Sequence, residues 1–183
     1  IRELVWDRLE RAGVARPPFP ISGRIPNFTG SERAAQRLAS LPEYRAAETV
    51  FVNPDSPQLP VREQVLRDGK RLAMASPKLR KGLLEIAGVS NPREAATIRG
   101  ALKHGKSVAP WELKIDLIVE GSVAVDLRGG RIGKGGGFGD LEFAILKEAG
   151  AISGGTPTIT TVHELQLVDR APQEAHDAPV DVI

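Results

Sequence analysis

Gly129-Gly130-Arg131-Ile132-Gly133-Lys134-Gly135-Gly136-Gly137-Phe138-Gly139-Asp140-Leu141-Glu142-Phe143-Ala144-Ile145-Leu146-Lys147-Glu148-Ala149 is the stretch on which the reading of this chain turns. Its first twelve residues hold seven glycines, with Arg131, Lys134 and Asp140 among them. The apolar spacing behind them predicts a helix over 140–149. Ahead of them, Ile115–Val119 and Val123–Val125 are apolar on both faces, as strands of a doubly covered sheet are. A backbone bare of side chains brings its N–H groups close to an anion. A helix N-terminus behind it adds partial positive charge. Arg131 and Lys134 add full charges. The chemistry is that of a phosphate cradle.

Working outward, residues 1–13 carry apolar positions at helical spacing. Residues 14–30 hold four prolines and two glycines and read as a long irregular connection, of the kind that is often functional. Ser31 caps a helix through about Ala39. Thr49–Asn53 reads as a buried strand, 54–57 as a turn, and Val61–Asp68 as a short helix ended by Gly69. Leu72–Ser76 reads as a second strand, 92–102 as a helix, and Thr158–Val162 and Gln166–Val168 as late strands. Short apolar strands alternating with helices predict an α/β fold with a parallel sheet, and ligands in such sheets bind at the carboxyl ends of strands. The 183 residues suit one domain over 1–183.

Composition removes several classes of function. Net charge is only +2, too little for bulk attraction to nucleic acid. There is no cysteine, so disulfides, thiolate metal sites and a cysteine nucleophile are excluded. No apolar run reaches the roughly 18–20 residues of a membrane span, and a cytoplasmic location is the expectation. The chain begins at Ile1 and stops at Ile183, so both ends are expected to fall inside a longer product. The three histidines, His104, His163 and His176, have no metal-ligand spacing. His163 is read first as a hydrogen-bonded structural residue and Trp111 as core. Lys78, Arg80 and Lys81 form a second basic cluster.

The loop fails the P-loop pattern, because Arg128 and Gly135 stand where Gly and Ser or Thr belong. It fails GxGxxG because Phe138 takes the last glycine's place. What it resembles is the R-[LI]-G-x-G-x-G-[YF]-x-D loop of the 5-formyltetrahydrofolate cyclo-ligase (methenyltetrahydrofolate synthetase) family. Leu41-Pro42-Glu43-Tyr44, Asp68-Gly69-Lys70, Asp116-Leu117-Ile118-Val119 and His176-Asp177-Ala178-Pro179-Val180-Asp181 are similar to further family segments in the same order. Gly23–Phe28, Val52–Asp55 and Gly121–Val125 are similar to its divergent branch, the methenyltetrahydrofolate-synthetase-domain proteins.

The resemblance implies a three-layer α/β/α open, mostly parallel, Rossmann-like sheet. It implies Mg-ATP-dependent conversion of 5-formyltetrahydrofolate to 5,10-methenyltetrahydrofolate, with release of ADP and phosphate. Arg131 and Lys134 would offset developing charge. Gly133, Gly135, Gly136 and Gly137 would present amides to ATP beside Phe138, and Asp140 would ligate Mg²⁺. Asp140 also reads as the N-cap or first-turn acid of its helix. Arg2 matches the arginine of a phosphate-contacting K-x-x-x-R pair whose lysine would precede residue 1. Asp55 and Gln58 fall at the Glu and Thr of a substrate-contacting E-x-D-T element. Arg24 can reach a phosphate or a folate carboxylate and Phe28 can cover a ring; alternatively, Phe28 and Ile25 only pack their loop on the core.

Three departures from the main branch stand out. Its Tyr-Tyr-Asp is Phe138-Gly139-Asp140 here, Asp55 and Gln58 replace the E-x-D-T Glu and Thr, and basic Pro77–Gly82 replaces an apolar M-x-F element. A paralogue that binds ATP but acts on or senses another phosphorylated or pterin-like metabolite is therefore the alternative. A non-catalytic RNA-binding or interaction module ranks third, because no aromatic RNA-binding motif is present.

Overall fold

The structure is a computed structural model that describes residues 1–175 and 177–183. His176, the first residue of the expected C-terminal element, lies outside the described residues. In chain order the elements are α1 (Arg2–Arg11), β1 (Ala15–Arg16), β2 (Asn27–Phe28), α2 (Ser31–Ala39), α3 (Pro42–Ala46), β3 (Thr49–Val52), α4 (Leu59–Arg67), β4 (Arg71–Ala75) and β5 (Leu83–Ile86). There follow α5 (Pro92–Ala95), α6 (Ile98–His104), β6 (Lys106–Val108), β7 (Leu117–Glu120), β8 (Ala124–Val125), β9 (Arg131–Ile132), α7 (Phe138–Glu148) and β10 (Thr158–Thr160).

Six strands form the central sheet in the order β10-β7-β3-β4-β5-β6. The pairs β10/β7, β7/β3 and β3/β4 are parallel. β5 runs antiparallel to β4, and β6 antiparallel to β5. The expected mixed α/β, mostly parallel sheet is what the chain forms.

Side-chain alternation divides the core into two layers. Val50 and Val52 of β3, Leu72 and Met74 of β4, and Leu117 and Val119 of β7 face one cluster with Leu38 of α2 and Val61 and Val65 of α4. Phe51, Ala73 and Ile118, at the intervening positions, face the other with Leu146 of α7. A third cluster packs Val5 and Leu9 of α1 on Val123, Ala124 and Ile132.

Several elements differ from the sequence reading. The helix expected at 92–102 is two helices. Asn91 accepts from the Glu94 N–H at 3.2 Å and Thr97 from the Gly100 N–H at 2.9 Å, so a second N-cap interrupts one periodic run. Gly100 is required there, since a Cβ would stand 1.9 Å from the Glu94 carbonyl oxygen. Gly30, not Ser31, is the N-cap of α2. Val123–Val125 lies outside the central sheet; Ala124 and Val125 pair with β9 in a small antiparallel hairpin. Gln166–Val168 is not a strand. Glu164–Gln166 is a 3₁₀ turn, and Leu167 makes one bridge to Val125. Trp111, expected in the core, is 75% exposed. Among the described residues, no helix is long and apolar enough to cross a membrane.

Phe51 is fully buried at the centre of the sheet. Phe51→Ala should destabilise the fold by about 3–5 kcal/mol, read as a lower urea midpoint. An unchanged midpoint would refute this account of the core.

Candidate functional site

The topology itself makes a crevice. From β3 the chain crosses to β4 on one side and later to β7 on the other, which parts the connections at the carboxyl ends of these strands. A cavity of about 340 Å³ opens there. Asn53, Pro54 and Asp55 after β3, Pro77 and Lys78 after β4, and Glu120 and Gly121 at the end of β7 form its floor and one wall.

The glycine loop forms the facing wall, and it does not arrive straight from a central strand. After β7 the chain leaves the sheet for the β8–β9 hairpin. Asp126 ties this turn by accepting from the N–H groups of Arg128, Gly130 and Ala171 at 2.8, 3.0 and 2.8 Å. Those bonds hold its carboxyl below the usual range. The return strand delivers Arg131 to the cleft and releases the loop into α7. Gly135 and Gly137 have φ of +103° and +65°, which only glycine adopts readily. Gly137 is the N-cap of α7 and supplies no side-chain cap, so first-turn amides remain unpaired within the helix.

Arg131, only 8% exposed, donates to the Gly121 carbonyl at 3.0 Å and to Asp140 at 3.0 Å. Asp140 stands in the first turn of α7 and also accepts from the Ala178 N–H at 3.3 Å. Both bonds use its Oδ1 oxygen. Lys134 reaches across the cleft to Asp55 at 2.7 Å. Arg2 donates to the Gly133 carbonyl at 2.6 Å and its guanidinium carbon lies 3.6 Å from where a Cβ of Gly135 would be.

The structure thus gathers Asp55, Arg131, Gly133, Lys134, Gly136, Gly137, Phe138 and Asp140 in the lining of one cleft, with Arg24 also in it; Arg2 and Gly135 are outside the lining, where Arg2 braces the loop through the Gly133 carbonyl. It does not bring Gln58 or Phe28 into the lining. Gln58 is fully buried behind Gly121, where a Cβ would stand 2.8 Å from its Oε1 atom. Phe28 is buried edge-on to His163, at 6.0 Å between ring centres, and lines a separate cavity of about 490 Å³ beside α2. This is the packing alternative for Phe28. His163 accepts from the Leu165 N–H at 3.1 Å, the structural role read for it.

Two groups escaped the sequence reading. Glu120 and Glu142 lie at the cleft floor, 1% and 5% exposed. Asn53 donates to Glu142 at 3.0 Å and accepts from the Gly121 N–H at 2.7 Å. Glu120 forms an ion pair with Arg131 at 3.9 Å, and the Asn53 amide beside it favours its charged form, although among the described residues neither of its oxygens makes a hydrogen bond of full geometry. Burial pushes the Glu120 carboxyl up to about 7 and, with the Glu120 charge, the Glu142 carboxyl up to about 8. A glutamate closing an apolar strand, and another on an apolar helix, were the available signals. Arg62 also went unremarked. This buried guanidinium donates to the carbonyls of Asn53, Asp55 and Ala96 at 2.7, 2.9 and 2.8 Å and fixes the floor segment.

The profile of the 5-formyltetrahydrofolate cyclo-ligase family matches residues 3–183. The chain belongs to that family. It is 42% identical over 192 residues to the methenyltetrahydrofolate synthase domain-containing protein of Bos taurus, and 39% to that of Homo sapiens. Each comparison covers the whole chain and 50% of the relative, so the chain spans about half the length of the curated relatives it matches. Two solved structures share the fold. The 5,10-methenyltetrahydrofolate synthetase of Aquifex aeolicus superposes with a TM-score of 0.59 at 23% identity, covering 99% of this chain and 86% of that one. The Mycoplasma pneumoniae synthetase gives 0.58 at 13%, covering 99% and 96%.

The raised Glu120 carboxyl has a consequence for stability. The unfolded chain ionises this group near 4.5, the fold near 7, so the native state holds the extra proton between those values. Its contribution is full below about pH 4.5 and is lost as pH rises through about 7. Glu120→Gln should flatten the fall in unfolding free energy between pH 5 and 8 by on the order of 1–3 kcal/mol. Parallel urea curves for both proteins at the two pH values would refute this.

Proposed function

We propose that this domain is an ATP-dependent cyclo-ligase that converts 5-formyltetrahydrofolate to 5,10-methenyltetrahydrofolate with release of ADP and phosphate. The observation that carries the reading is the placement of the glycine loop and Lys134 ahead of α7, facing the carboxyl ends of β3 and β7, with Arg2 of α1 bonded to the loop at the Gly133 carbonyl. The residues fit a nucleotide: the loop's bare backbone and the uncapped helix start can receive phosphate oxygens, and Lys134 can exchange Asp55 for them.

They also fit magnesium. Asp140 keeps its Oδ2 oxygen clear of the Arg131 and Ala178 bonds. Among the described residues no three acidic or histidine side chains form a ready-made metal cage, and Mg²⁺ is commonly held by one or two carboxylates, phosphates and water. When bound there, the ion would neutralise charge on the transferring phosphoryl group.

Phosphoryl transfer needs mainly positioning and charge stabilisation, and this chain's residues would supply both. The formyl oxygen accepts the γ-phosphoryl group, the amine at position 10 attacks, and phosphate departs. Lys134, Arg2 and the loop amides would hold the phosphates in line. Arg131, fixed by Gly121 and Asp140, would present positive charge without reorganising.

A specific observation favours a second reading, a paralogue that uses ATP on a different pterin-like metabolite. Gly139 stands where the main branch has its second aromatic, and the space it faces belongs to Glu120 and Arg131. The mouth is basic at Lys78 instead of apolar. Loss of a ring contact removes about 1–2 kcal/mol, enough to change substrate preference.

Mixing the protein with Mg-ATP and 5-formyltetrahydrofolate, and following the methenyl chromophore, tests the first reading. Absence of turnover, with ATP still stabilising the fold, would favour the second. Saturating Mg-ATP at about 100 Kd should raise Tm by about 5–10 °C. Lys134→Glu should abolish that rise; a shift that survives would overturn the loop assignment.

A further inference from the structure

The net charge of +2 conceals an uneven distribution. Lysines and arginines number 25 against 23 acidic residues overall, but residues 69–114 hold ten against three, so the rest of the chain is net acidic. This segment supplies β4, β5 and β6, one edge of the sheet, with α5 and α6. Just past β4, Lys78, Arg80 and Lys81 are exposed, and among the described residues their side chains make no hydrogen bond or ion pair. The loop that carries them has a fixed shape. Ser76 Oγ accepts from the Lys81 N–H at 2.8 Å and donates to the Gly82 carbonyl at 3.0 Å. Lys78 and Leu79 both have φ of +54°, a left-handed conformation that residues with a Cβ keep only where the surroundings impose it. Leu83 of β5 pairs with Val108 of β6, so this loop and the 3₁₀ turn Pro110–Glu112 leave the sheet at the same end. The turn carries Trp111, 75% exposed. Its acidic member, Glu112, accepts from the Ala109 N–H at 2.7 Å and so is bent back onto its own backbone.

We propose that this end of the β4–β6 edge is a binding surface for single-stranded nucleic acid, with Lys78, Arg80 and Lys81 on the phosphates and the Trp111 ring against a base. Cations that hold no partner receive phosphates without first breaking an ion pair, and the release of counterions from the strand drives the contact. An exposed indole face stacks any base that a single strand offers, whatever the sequence. An acidic peptide shares the charge but has no base to stack, so Trp111 decides for nucleic acid. RNA and DNA strands share this chemistry. The surface begins at the cleft mouth, where Lys78 lines the wall. It needs no nucleotide in the cleft, and the inference does not rest on the function proposed above.

The test is fluorescence anisotropy of the whole chain with labelled oligo(U) RNA and oligo(dT) DNA of about 12 nucleotides, at about 50 and about 200 mM salt. An oligoglutamate of equal charge is the control without bases. The native protein should bind a strand with Kd on the order of 1–100 μM at the lower salt and more weakly at the higher; the tighter of the two strands names the source. Arg80→Glu together with Lys81→Glu should weaken binding by about 10-fold or more and lower the salt slope by about 1.4 or more. Trp111→Ala should weaken it by about 5-fold or more with the slope unchanged, and Trp111→Phe should keep most of it. These side chains are exposed, so each variant should retain the native urea midpoint. Absence of binding at the lower salt overturns the inference, as does a double variant or a Trp111→Ala protein that binds like the native chain. Oligoglutamate bound as tightly as the strands would assign the surface to an acidic peptide and overturn it equally. Failure of Mg-ATP to raise Tm would instead count against the function proposed above and leave this binding untouched.

Discussion

The site depends on two buried guanidiniums whose hydrogen bonds go largely to backbone. Arg131 joins the end of β7, through the Gly121 carbonyl, to the first turn of α7, through Asp140. Arg62 holds the floor segment by three carbonyls, and burial lowers its pKa to about 10, which leaves it charged at neutral pH. A buried charge is expensive unless hydrogen bonds replace its water. Each arginine therefore forces its carbonyl partners into one arrangement. The floor and the glycine loop are thereby fixed to the sheet as rigid parts, which an anion site needs if its donors are to be in place before the ligand arrives.

Within that frame the position of the main-branch second aromatic is held by a glycine that packs closely on the Glu120–Arg131 pair. A side chain at 139 would begin 3.0 Å from a Glu120 oxygen. A larger side chain at 139 would therefore require this pair to shift. The loop proposed to receive phosphate, with Lys134 in it and Arg2 bonded to Gly133, does not depend on this packing.

Much of the fold was legible because its physics is local. β3, β4 and β7 are short, nearly continuous apolar runs, α4 ends just before a glycine, and the loop's glycines are visible individually. What escaped depended on partners distant in sequence. β5 and β6 extend an edge whose pairing no local pattern states. The split between α5 and α6 turned on Thr97, whose capping role competes with an unbroken periodicity. Val123–Val125 looked like central strand because it is buried on both faces, but part of its cover is α1, more than a hundred residues earlier. At the site, the charged residues of the loop were legible by type. Glu120 and Glu142 were not, since a glutamate in an apolar segment carries no sign of what it faces. Phe28 and Gln58 were misplaced for the converse reason: chemistry was read from residue type, and burial decided their positions.

The contact between Lys134 and Asp55 makes ligand entry an exchange reaction. An anion that takes Lys134 releases Asp55 on the opposite wall. That carboxylate, held by a floor that Arg62 does not let collapse, is then open to a hydrogen-bond donor or a cation. If the loop takes the phosphates proposed above, its occupancy would raise the affinity of the facing wall for its own ligand, and linkage would require the converse by the same factor. Two ligands sharing this cleft would then be coupled through one lysine, which would favour their joint presence over either alone.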